Sequence, residues 1–304
     1  MTSRRVAAID CGTNTIRLLI GDVVDGRVVE LCRLMETNRL GAGLGATGLI
    51  SAEALDRSAV ALSSFAVQIE KFQPETVRMV ATSASRDARN SGDFIELARA
   101  SVGVRPEVIT GREEAQLSFA GATVGLDPSV RRLVIDIGGG STEFVVGDRE
   151  VRGSHSTDMG CVRLTERHLK HDPPTADELT AVRSDVVVAI DEARGQVDFD
   201  DAAQIVGVAG TVTTIAGIAL GLPAYDAAAI HQSVVSAAQI AEITEMLTRA
   251  DFATKRDIPV MHPGRVDVIA AGALILDTVM QELEFAELTA SETDILHGIA
   301  LSIG

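Results

Sequence analysis

A glycine-rich turn between two acidic residues is the first feature of the chain that could do chemistry. From residue 135 the chain reads IDIGGGSTEFVVGD, with Asp136 before the turn and Glu143 after it. The apolar residues on both sides predict two strands joined as a hairpin. Three consecutive glycines followed by Ser141 and Thr142 exceed the needs of a tight turn. Such a turn leaves backbone N–H groups exposed, and it therefore predicts a binding site for an anion such as phosphate.

The same arrangement occurs near the start of the chain. Residues 6–20 read VAAIDCGTNTIRLLI, in which Asp10 takes the place that Asp136 has in the later copy. The two copies are separated by about the length of a small domain. Strand and helix patterns alternate after each copy, which indicates α/β lobes. We therefore predict two duplicated lobes, residues 1–125 and 126–304, that meet in the polar segment GLDPSVRR.

Composition limits the partners of this protein. Its 304 residues carry 43 Asp and Glu against 27 Lys and Arg, a net charge of −16. An acidic surface repels nucleic acid and anionic membranes, so we expect neither as a partner. No apolar run reaches the length of a membrane span, and the first residues lack a signal-peptide pattern. Three scattered cysteines, Cys11, Cys32 and Cys161, predict a reducing cytoplasm without disulfides or structural zinc.

In so acidic a protein, a polyanion could bind only where arginines reverse the local charge. Arg17 follows the first glycine-containing turn, and Arg265 stands in MHPGRVDV. Arg86 and Arg89 follow a predicted strand at 77–81, at the strand end where α/β proteins bind ligands. Each of these residues alone would be interpreted as a surface charge. Together they predict a basic lining for an anion site.

The stretch TGREEAQLSFAG contains two adjacent glutamates with different expected roles. Thr110 and Glu113 fit a capping box, which gives Glu113 a structural function. On a helix, Glu114 shares a face with Leu117 and Ser118, and this face is mostly apolar. A carboxylate on an inward face is a candidate catalytic base. The alternative, a first-turn glutamate that complements the helix dipole, remains open.

Two further motifs have a ligand-binding interpretation. The stretch VGVAGTVTT at 207–215 predicts a strand, then Gly210 and Thr211, then a helix N-terminus suited to anions. Around the later hairpin, Asp136 and Glu143 would suit Mg²⁺, which prefers oxygen ligands and phosphate. Without a ligand, they would be a turn-initiating aspartate and an exposed strand residue. The glycines of RLGAGLGATG match G-x-G-x-x-G only weakly, since a loop before a helix capped by Ser51 explains them equally well.

These stretches, in this order, resemble the exopolyphosphatase/guanosine pentaphosphate phosphatase family, over essentially the whole chain. This family belongs to the superfamily of actin, sugar kinases and heat-shock chaperone ATPases. The resemblance rests on AIDCGTNTIRLLI, ATSASRDARN, TGREEAQL, VIDIGGGSTEFVVG and VGVAGTVTT. It implies an α/β fold of two actin-like (ribonuclease H-like) lobes with a central interlobe cleft.

By position, the resemblance implies Glu114 as the catalytic glutamate, with Asp136 and Glu143 serving Mg²⁺ (or Mn²⁺) and the attacking water. Asp10 is a third candidate metal ligand. The predicted phosphate-binding residues are Gly12, Thr13, Asn14, Arg17, Arg86, Arg89, Gly138, Gly139, Gly140, Ser141, Gly210, Thr211 and Arg265.

The implied activity is release of terminal phosphate from inorganic polyphosphate. The alternative is a pppGpp 5′-phosphohydrolase, and less favoured readings are a sugar or acetate-type kinase and a non-catalytic, nucleotide-sensing actin relative. Many family members continue into a C-terminal HD-like region, whereas this sequence stops at Gly304, so we expect no long polymer channel. A homodimer is also expected.

Overall fold

A computed structural model describes residues 3–304. Within these residues the chain divides into two compact units. Unit 1 contains the described residues up to Leu126 together with Thr293–Gly304, and unit 2 contains Asp127–Glu292. None of the described helices is long and apolar enough to cross a bilayer.

Unit 1 is built on a sheet in the order β3-β2-β1-β4-β5. The first three strands are antiparallel neighbours, whereas β4 and β5 run parallel to β1. The strands are β1 (Arg4–Cys11), β2 (Thr15–Val24), β3 (Arg27–Thr37), β4 (Thr76–Ala81) and β5 (Glu107–Val108). The helices are α1 (Leu44–Thr47), α2 (Ala52–Phe72), α3 (Ser83–Asp87), α4 (Ser91–Val102), α5 (Gly111–Ala122) and, from the end of the chain, α13 (Ile295–Ile303).

Unit 2 repeats this arrangement with one more strand, in the order β10-β11-β9-β6-β7-β8. The strands are β6 (Arg132–Ile137), β7 (Thr142–Gly147), β8 (Val151–Thr157), β9 (Gln204–Val208), β10 (Val234–Ser236) and β11 (Glu287–Ala290). The helices are α6 (Cys161–His168), α7 (Ala176–Arg194), α8 (Ala209–Ala219), α9 (Ala227–Ile230), α10 (Ala237–Arg249), α11 (Phe252–Arg256) and α12 (Ile269–Glu282).

Both sheets place the duplicated hairpin at the same point of the topology. In each unit, the first strand of the hairpin lies between its antiparallel partner and a parallel strand, β4 in unit 1 and β9 in unit 2. These central strands are buried on both faces, which explains their nearly continuous apolar sequences. The α/β class with two actin-like, ribonuclease H-like lobes is thereby confirmed.

A 3₁₀ turn at Pro263–Arg265 precedes α12, and the His262 side chain caps it by accepting the Gly264 N–H. One sequence-based expectation, the domain boundary, needs correction at the end of the chain. Residues 293–304 were assigned to the second lobe. They instead form α13 and pack in unit 1, because the apolar side chains of Ile295, Leu296 and Ile299 complete a cluster with β1.

Helix α13 lies very close to α5, the helix that carries Glu114. A Cβ atom on Gly298 would overlap the carbonyl oxygen of Leu117 on α5. A Cβ atom on Gly121 of α5 would likewise overlap the carbonyl oxygen of Asp294. The two helices therefore touch backbone to backbone, which only glycine permits at these two positions.

We predict that Gly298→Ala destabilises unit 1. The added methyl group has no space against a backbone carbonyl, so the free energy of unfolding should fall by about 1–3 kcal/mol, as for overpacked cores. Chemical denaturation measures this value. Gly92→Ala on α4 is the control, because nothing lies near its Cβ position and it should be neutral or slightly stabilising. Equal stability of the Gly298 variant and the wild type would contradict the predicted helix contact.

Candidate active site

The β6–β7 hairpin sets two carboxylates side by side. Asp136 and Glu143 are directly opposite each other in the antiparallel register, and both side chains are buried. The Glu143 Oε1 atom accepts a hydrogen bond from the Ser156 hydroxyl on β8, at 2.7 Å. Two adjacent buried carboxylates repel each other unless a cation or a proton compensates them.

This acidic pair fits a magnesium ion in its donor chemistry. Mg²⁺ is commonly held by one or two carboxylates, with water and substrate phosphates completing the oxygen shell. Among residues 3–304, no group of three or more His, Cys, Asp or Glu side chains is arranged to hold a metal ion. An ion at Asp136 and Glu143 would therefore need oxygen atoms from water or substrate, as Mg²⁺ usually does.

Hydrogen bonds from α6 occupy the carbonyl oxygens of the glycine turn between β6 and β7. The carbonyl oxygens of Gly138 and Gly139 accept N–H groups from the first turn of α6, at 2.9–3.1 Å. The Gly140 carbonyl oxygen accepts from the Arg163 Nε atom at 2.8 Å. In the described part of the chain, the amides of Gly139, Gly140 and Ser141 donate to no carbonyl or side chain. The turn thus presents a row of N–H donors, the arrangement that binds anions.

Close packing explains why a glycine, Gly160, directly precedes α6. A Cβ atom on Gly160 would overlap the carbonyl group of Gly139 and the nitrogen of Gly140. Because Gly160 has no side chain, the N-terminus of α6 can reach the turn carbonyls. The orientation of the free amides therefore depends on a residue outside the hairpin.

A second anion-ready element in unit 2 joins the start of α8 to Arg265. No side chain caps α8, and Gly210 and Thr211 lie in its first turn. The Arg265 guanidinium packs so closely on Gly210 that a Cβ atom there would overlap it. Arg265 also donates to the Thr214 hydroxyl at 3.4 Å. A helix N-terminus and an arginine side chain, both favourable to anions, thus share one location.

In unit 1, the equivalent hairpin pairs an acid with a base. Asp10 lies opposite Arg17, as Asp136 lies opposite Glu143 in unit 2. Arg17 donates from Nε and Nη2 to the Asp10 Oδ2 atom, at 3.0 and 2.6 Å, and from Nη1 to Asp294. Arg17 was predicted to contact phosphate. The contacts that the structure shows for all three of its nitrogen atoms are with carboxylates, so the phosphate contact stays a prediction.

The two acids that share Arg17 differ in their titration. Burial raises the pKa of Asp10, and Arg17 only partly offsets this effect. Although burial also opposes the charge of Asp294, Arg17 and Arg33 lower its pKa to about 2. The pKa of Asp294 thus lies below its ordinary value, whereas the pKa of Asp10 lies above it. The second oxygen of Asp10, Oδ1, is buried and has no hydrogen-bond partner among the described residues.

The β1–β2 turn contains Gly12, Thr13 and Asn14 and is tied to its surroundings on both sides. The hydroxyl groups of Thr13 and Ser83 are 2.7 Å apart, which links the turn to the start of α3. The Gly12 N–H donates to the Thr15 carbonyl, and the Asn14 carbonyl accepts from the Arg39 N–H, both at 3.0 Å. The turn is thus held in one conformation beside α3.

Glu114 is buried and ion-paired, whereas Glu113 lies near the surface. Arg86 Nη1 donates to Glu114 Oε2 at 2.6 Å and to the Ile109 carbonyl at 3.1 Å. Glu114 is 7% exposed, so its predicted inward orientation is confirmed. Thr110 caps α5 as predicted, but Glu113 pairs with Arg78 at 2.8 Å and does not complete the capping box. Arg78 competes successfully because it offers a full positive charge.

Arg89 is placed apart from the other predicted anion ligands. Its Nη2 atom donates to the Thr47 carbonyl at 2.9 Å, and its backbone N–H donates to the Gly48 carbonyl at 3.0 Å. The G-x-G-x-x-G stretch that Arg89 contacts forms the single turn of α1, with Gly43 and Gly48 in the left-handed conformation. These contacts give Arg89 a structural role at the end of α1.

Sequence reasoning missed four polar residues of these sites. Ser83, Ser156, Arg163 and Asp294 contact predicted site residues in the structure. Ser83 lies in ATSASRDARN, one of the stretches that carry the family resemblance, so it could have been singled out. Ser156, Arg163 and Asp294 have no local pattern that distinguishes them from ordinary strand, helix and capping residues.

We predict that Arg86→Met destabilises the protein because it leaves the buried Glu114 carboxylate without its cation. The cost should be about 1–3 kcal/mol in the free energy of unfolding, since Arg86 is partly exposed. Adding Glu114→Gln should restore most of the loss. Arg99→Met is the control, because its pair with Glu96 is mostly exposed and should contribute little. Equal losses in the free energy of unfolding for the Arg86 and Arg99 variants would contradict a larger contribution from the buried pair.

Comparisons with known proteins identify the family of this chain. Residues 19–303 match the model of the Ppx/GppA phosphatase family. Exopolyphosphatase 2 of Mycobacterium tuberculosis is 45% identical over 100% of this chain and 99% of its own length. The guanosine-5′-triphosphate,3′-diphosphate pyrophosphatase of Vibrio cholerae is 30% identical over 98% of this chain, which spans only 59% of that protein.

The fold is likewise shared with solved structures. The crystal structure of an exopolyphosphatase-like protein superposes with a TM-score of 0.96 at 39% identity, over 100% of this chain and 98% of the other. The resemblance drawn from the sequence motifs is confirmed. The chain belongs to the Ppx/GppA phosphatase family.

Proposed function

We propose that this protein is an exopolyphosphatase that hydrolyses terminal phosphate from inorganic polyphosphate. The observation that carries the proposal is the β6–β7 hairpin, where two adjacent buried carboxylates stand beside three backbone amides without acceptors among the described residues. A metal-bound phosphate chain would satisfy both sets of groups. The similarity to exopolyphosphatase 2 along its full length supports this assignment.

In this proposal Asp136 and Glu143 hold the divalent cation. Ser156 fixes the rotamer of Glu143 through its 2.7 Å hydrogen bond. When bound, Mg²⁺ would neutralise the phosphate oxygens and polarise the phosphorus for attack. Asp10 is a third candidate ligand, since one of its oxygens has no protein partner among the described residues.

The substrate anion is held chiefly by backbone groups. The amides of residues 139–141 would contact phosphate oxygens. In unit 1, the Thr13 hydroxyl and the amides of residues 13–14 are candidates for the same role, because the Gly12 and Gly138 amides already donate to carbonyl oxygens. Gly210 and Thr211 offer the positive end of α8, and Arg265 adds a full charge at the same place. In a protein of net charge −16, such local donors are needed to bind a polyanion.

Glu114 is proposed to position the attacking water and to accept its proton. Phosphoryl transfer passes through a loose transition state, so orientation and charge neutralisation contribute more than base strength. Arg86 holds the Glu114 carboxylate in place at 2.6 Å. We therefore assign Arg86 to the orientation of Glu114, in place of the phosphate contact expected from the sequence.

The free cysteines among the described residues agree with a proposed cytoplasmic location.

Hydrolysis of pppGpp at its 5′ end is the second candidate. The Vibrio cholerae relative is named for a guanosine substrate of this kind. Both substrates end in a phosphoanhydride, and the groups described above contact phosphate alone. The shared chemistry accounts for either activity.

Phosphate release tests the proposal directly. We expect Mg²⁺-dependent release from long-chain polyphosphate, abolished by a chelator and restored by added Mg²⁺. Parallel assays with pppGpp at matched phosphate concentration, compared as kcat/KM, distinguish the two candidates. A higher kcat/KM for pppGpp would favour the second activity. No release from either substrate would refute the proposed function.

Glu114→Gln should lower kcat by about 10²–10⁴-fold, because it removes the proton acceptor while keeping the side-chain shape. The amide can still accept a hydrogen bond from Arg86, so the fold should be retained. Glu113→Gln is the matched control, and it should leave kcat within about threefold because Glu113 pairs at the surface with Arg78. Similar losses of kcat in both folded variants would exclude a special role for Glu114.

A further inference from the structure

The C-terminal segment brings one buried acid into the hairpin of unit 1. Asp294 is 3% exposed and precedes α13, where its side chain accepts the Leu296 N–H at 3.0 Å. Its Oδ2 atom also accepts a hydrogen bond from Arg17, and Arg33 lies 3.6 Å away. Asp294 thus performs two tasks, since it caps a helix and neutralises an arginine of the hairpin.

The charged side chains around Arg17 form ion pairs with one another within unit 1. Arg17 and Arg33 face Asp10 and Asp294, with Glu30 3.5 Å from Arg33. Next to them, His297 of α13 lies 3.1 Å from Glu30. Every charged group in this network has an opposite charge within reach. The network joins β2, β3 and α13, elements that come together only in the folded unit.

The direction of the Arg17 fork determines which oxygen of Asp10 is used. Nε and Nη2 both donate to Oδ2 of Asp10, and Nη1 is turned to Asp294. An arginine that faces a single carboxylate commonly binds both of its oxygens in a parallel, bidentate pair. Here the Nε–Nη2 edge binds Oδ2 alone while Nη1 binds Asp294, and Oδ1 of Asp10 has no partner among the described residues.

We propose that Asp294 is a positioning residue that holds Arg17 turned away from Oδ1 of Asp10. This buried oxygen thereby keeps its lone pairs for water or a hydrated cation at the β1–β2 hairpin, an inference that rests on the proposed hydrolase function. Asp294 acts through Arg17 and does not itself contact the substrate. Without its charge, Arg17 would close onto both oxygens of Asp10.

Asp294→Asn tests this role, because the amide keeps the size of the side chain and its ability to cap α13. We expect kcat for phosphate release to fall about 10- to 100-fold, as for a misplaced active-site group, with KM changed less than about threefold. Asp251→Asn is the matched control, since Asp251 caps α11 in the same way through the Thr254 N–H at 2.8 Å but lies at the surface. That variant should keep kcat.

A double-mutant cycle with Arg17→Gln separates positioning from a general structural role. If Asp294 acts through Arg17, the double variant should lose no more kcat than Arg17→Gln alone, within about twofold. Multiplied losses of kcat would show independent action and overturn the inference. The same cycle in urea unfolding is a readout that does not need activity, and a coupling indistinguishable from zero would likewise overturn it. If the asparagine variant does not fold, Asp294→Ser, another capping residue, takes its place.

The cycle also distinguishes this inference from the proposed function. A wild-type protein that releases no phosphate from either substrate would refute both. A wild-type protein that is active while Asp294→Asn keeps its full kcat would refute the positioning role alone.

Discussion

A buried carboxylate needs a compensating charge or proton. The two duplicated hairpins meet this need in different ways. The duplicated hairpin places an aspartate in its first strand directly opposite a residue in its second. In unit 1 the opposite residue is Arg17, so the charge is compensated within the protein. In unit 2 it is Glu143, so two acids face each other, an arrangement that favours a cation or a proton beside them. One difference between the duplicated hairpins thus separates an ion pair from the proposed metal site.

Backbone polarity provides the second half of the proposed ligand site. The carbonyl oxygens of the 138–140 turn are bound by α6 and Arg163, which leaves the turn amides directed elsewhere. A positive side chain could serve the same purpose, but amides fixed by a turn need no reorganisation when an anion binds. Close packing at Gly160 and Gly210 makes this possible, because a side chain at either residue would displace the group beside it. In the proposed site, an acidic protein would thus bind an anion without a basic surface.

Local sequence patterns were sufficient for much of this description. The hairpins, the opposition of Asp136 to Glu143, and the inward face that carries Glu114 all follow from strand alternation and helical period. The anion-binding character of the glycine turn follows from its composition. These features depend on residues within one or two elements, and neighbouring residues largely determine their geometry. The motifs also carried the family resemblance, which comparison with known proteins confirmed.

Contacts between distant residues were decided only by the tertiary structure. Arg86 is 28 positions from Glu114, and Arg17 is 277 positions from Asp294. Their pairing depends on which helix packs against which strand, and no period or composition near either residue contains this information. The short, apolar α13 was not predicted at all, because nothing local shows that it returns to unit 1. Its position follows from backbone contact at Gly121 and Gly298 and from the burial of apolar side chains against β1. Sequence alone therefore determined which chemical groups the protein has, whereas packing determined which charges face each other, because burial and pairing are properties of the assembled core.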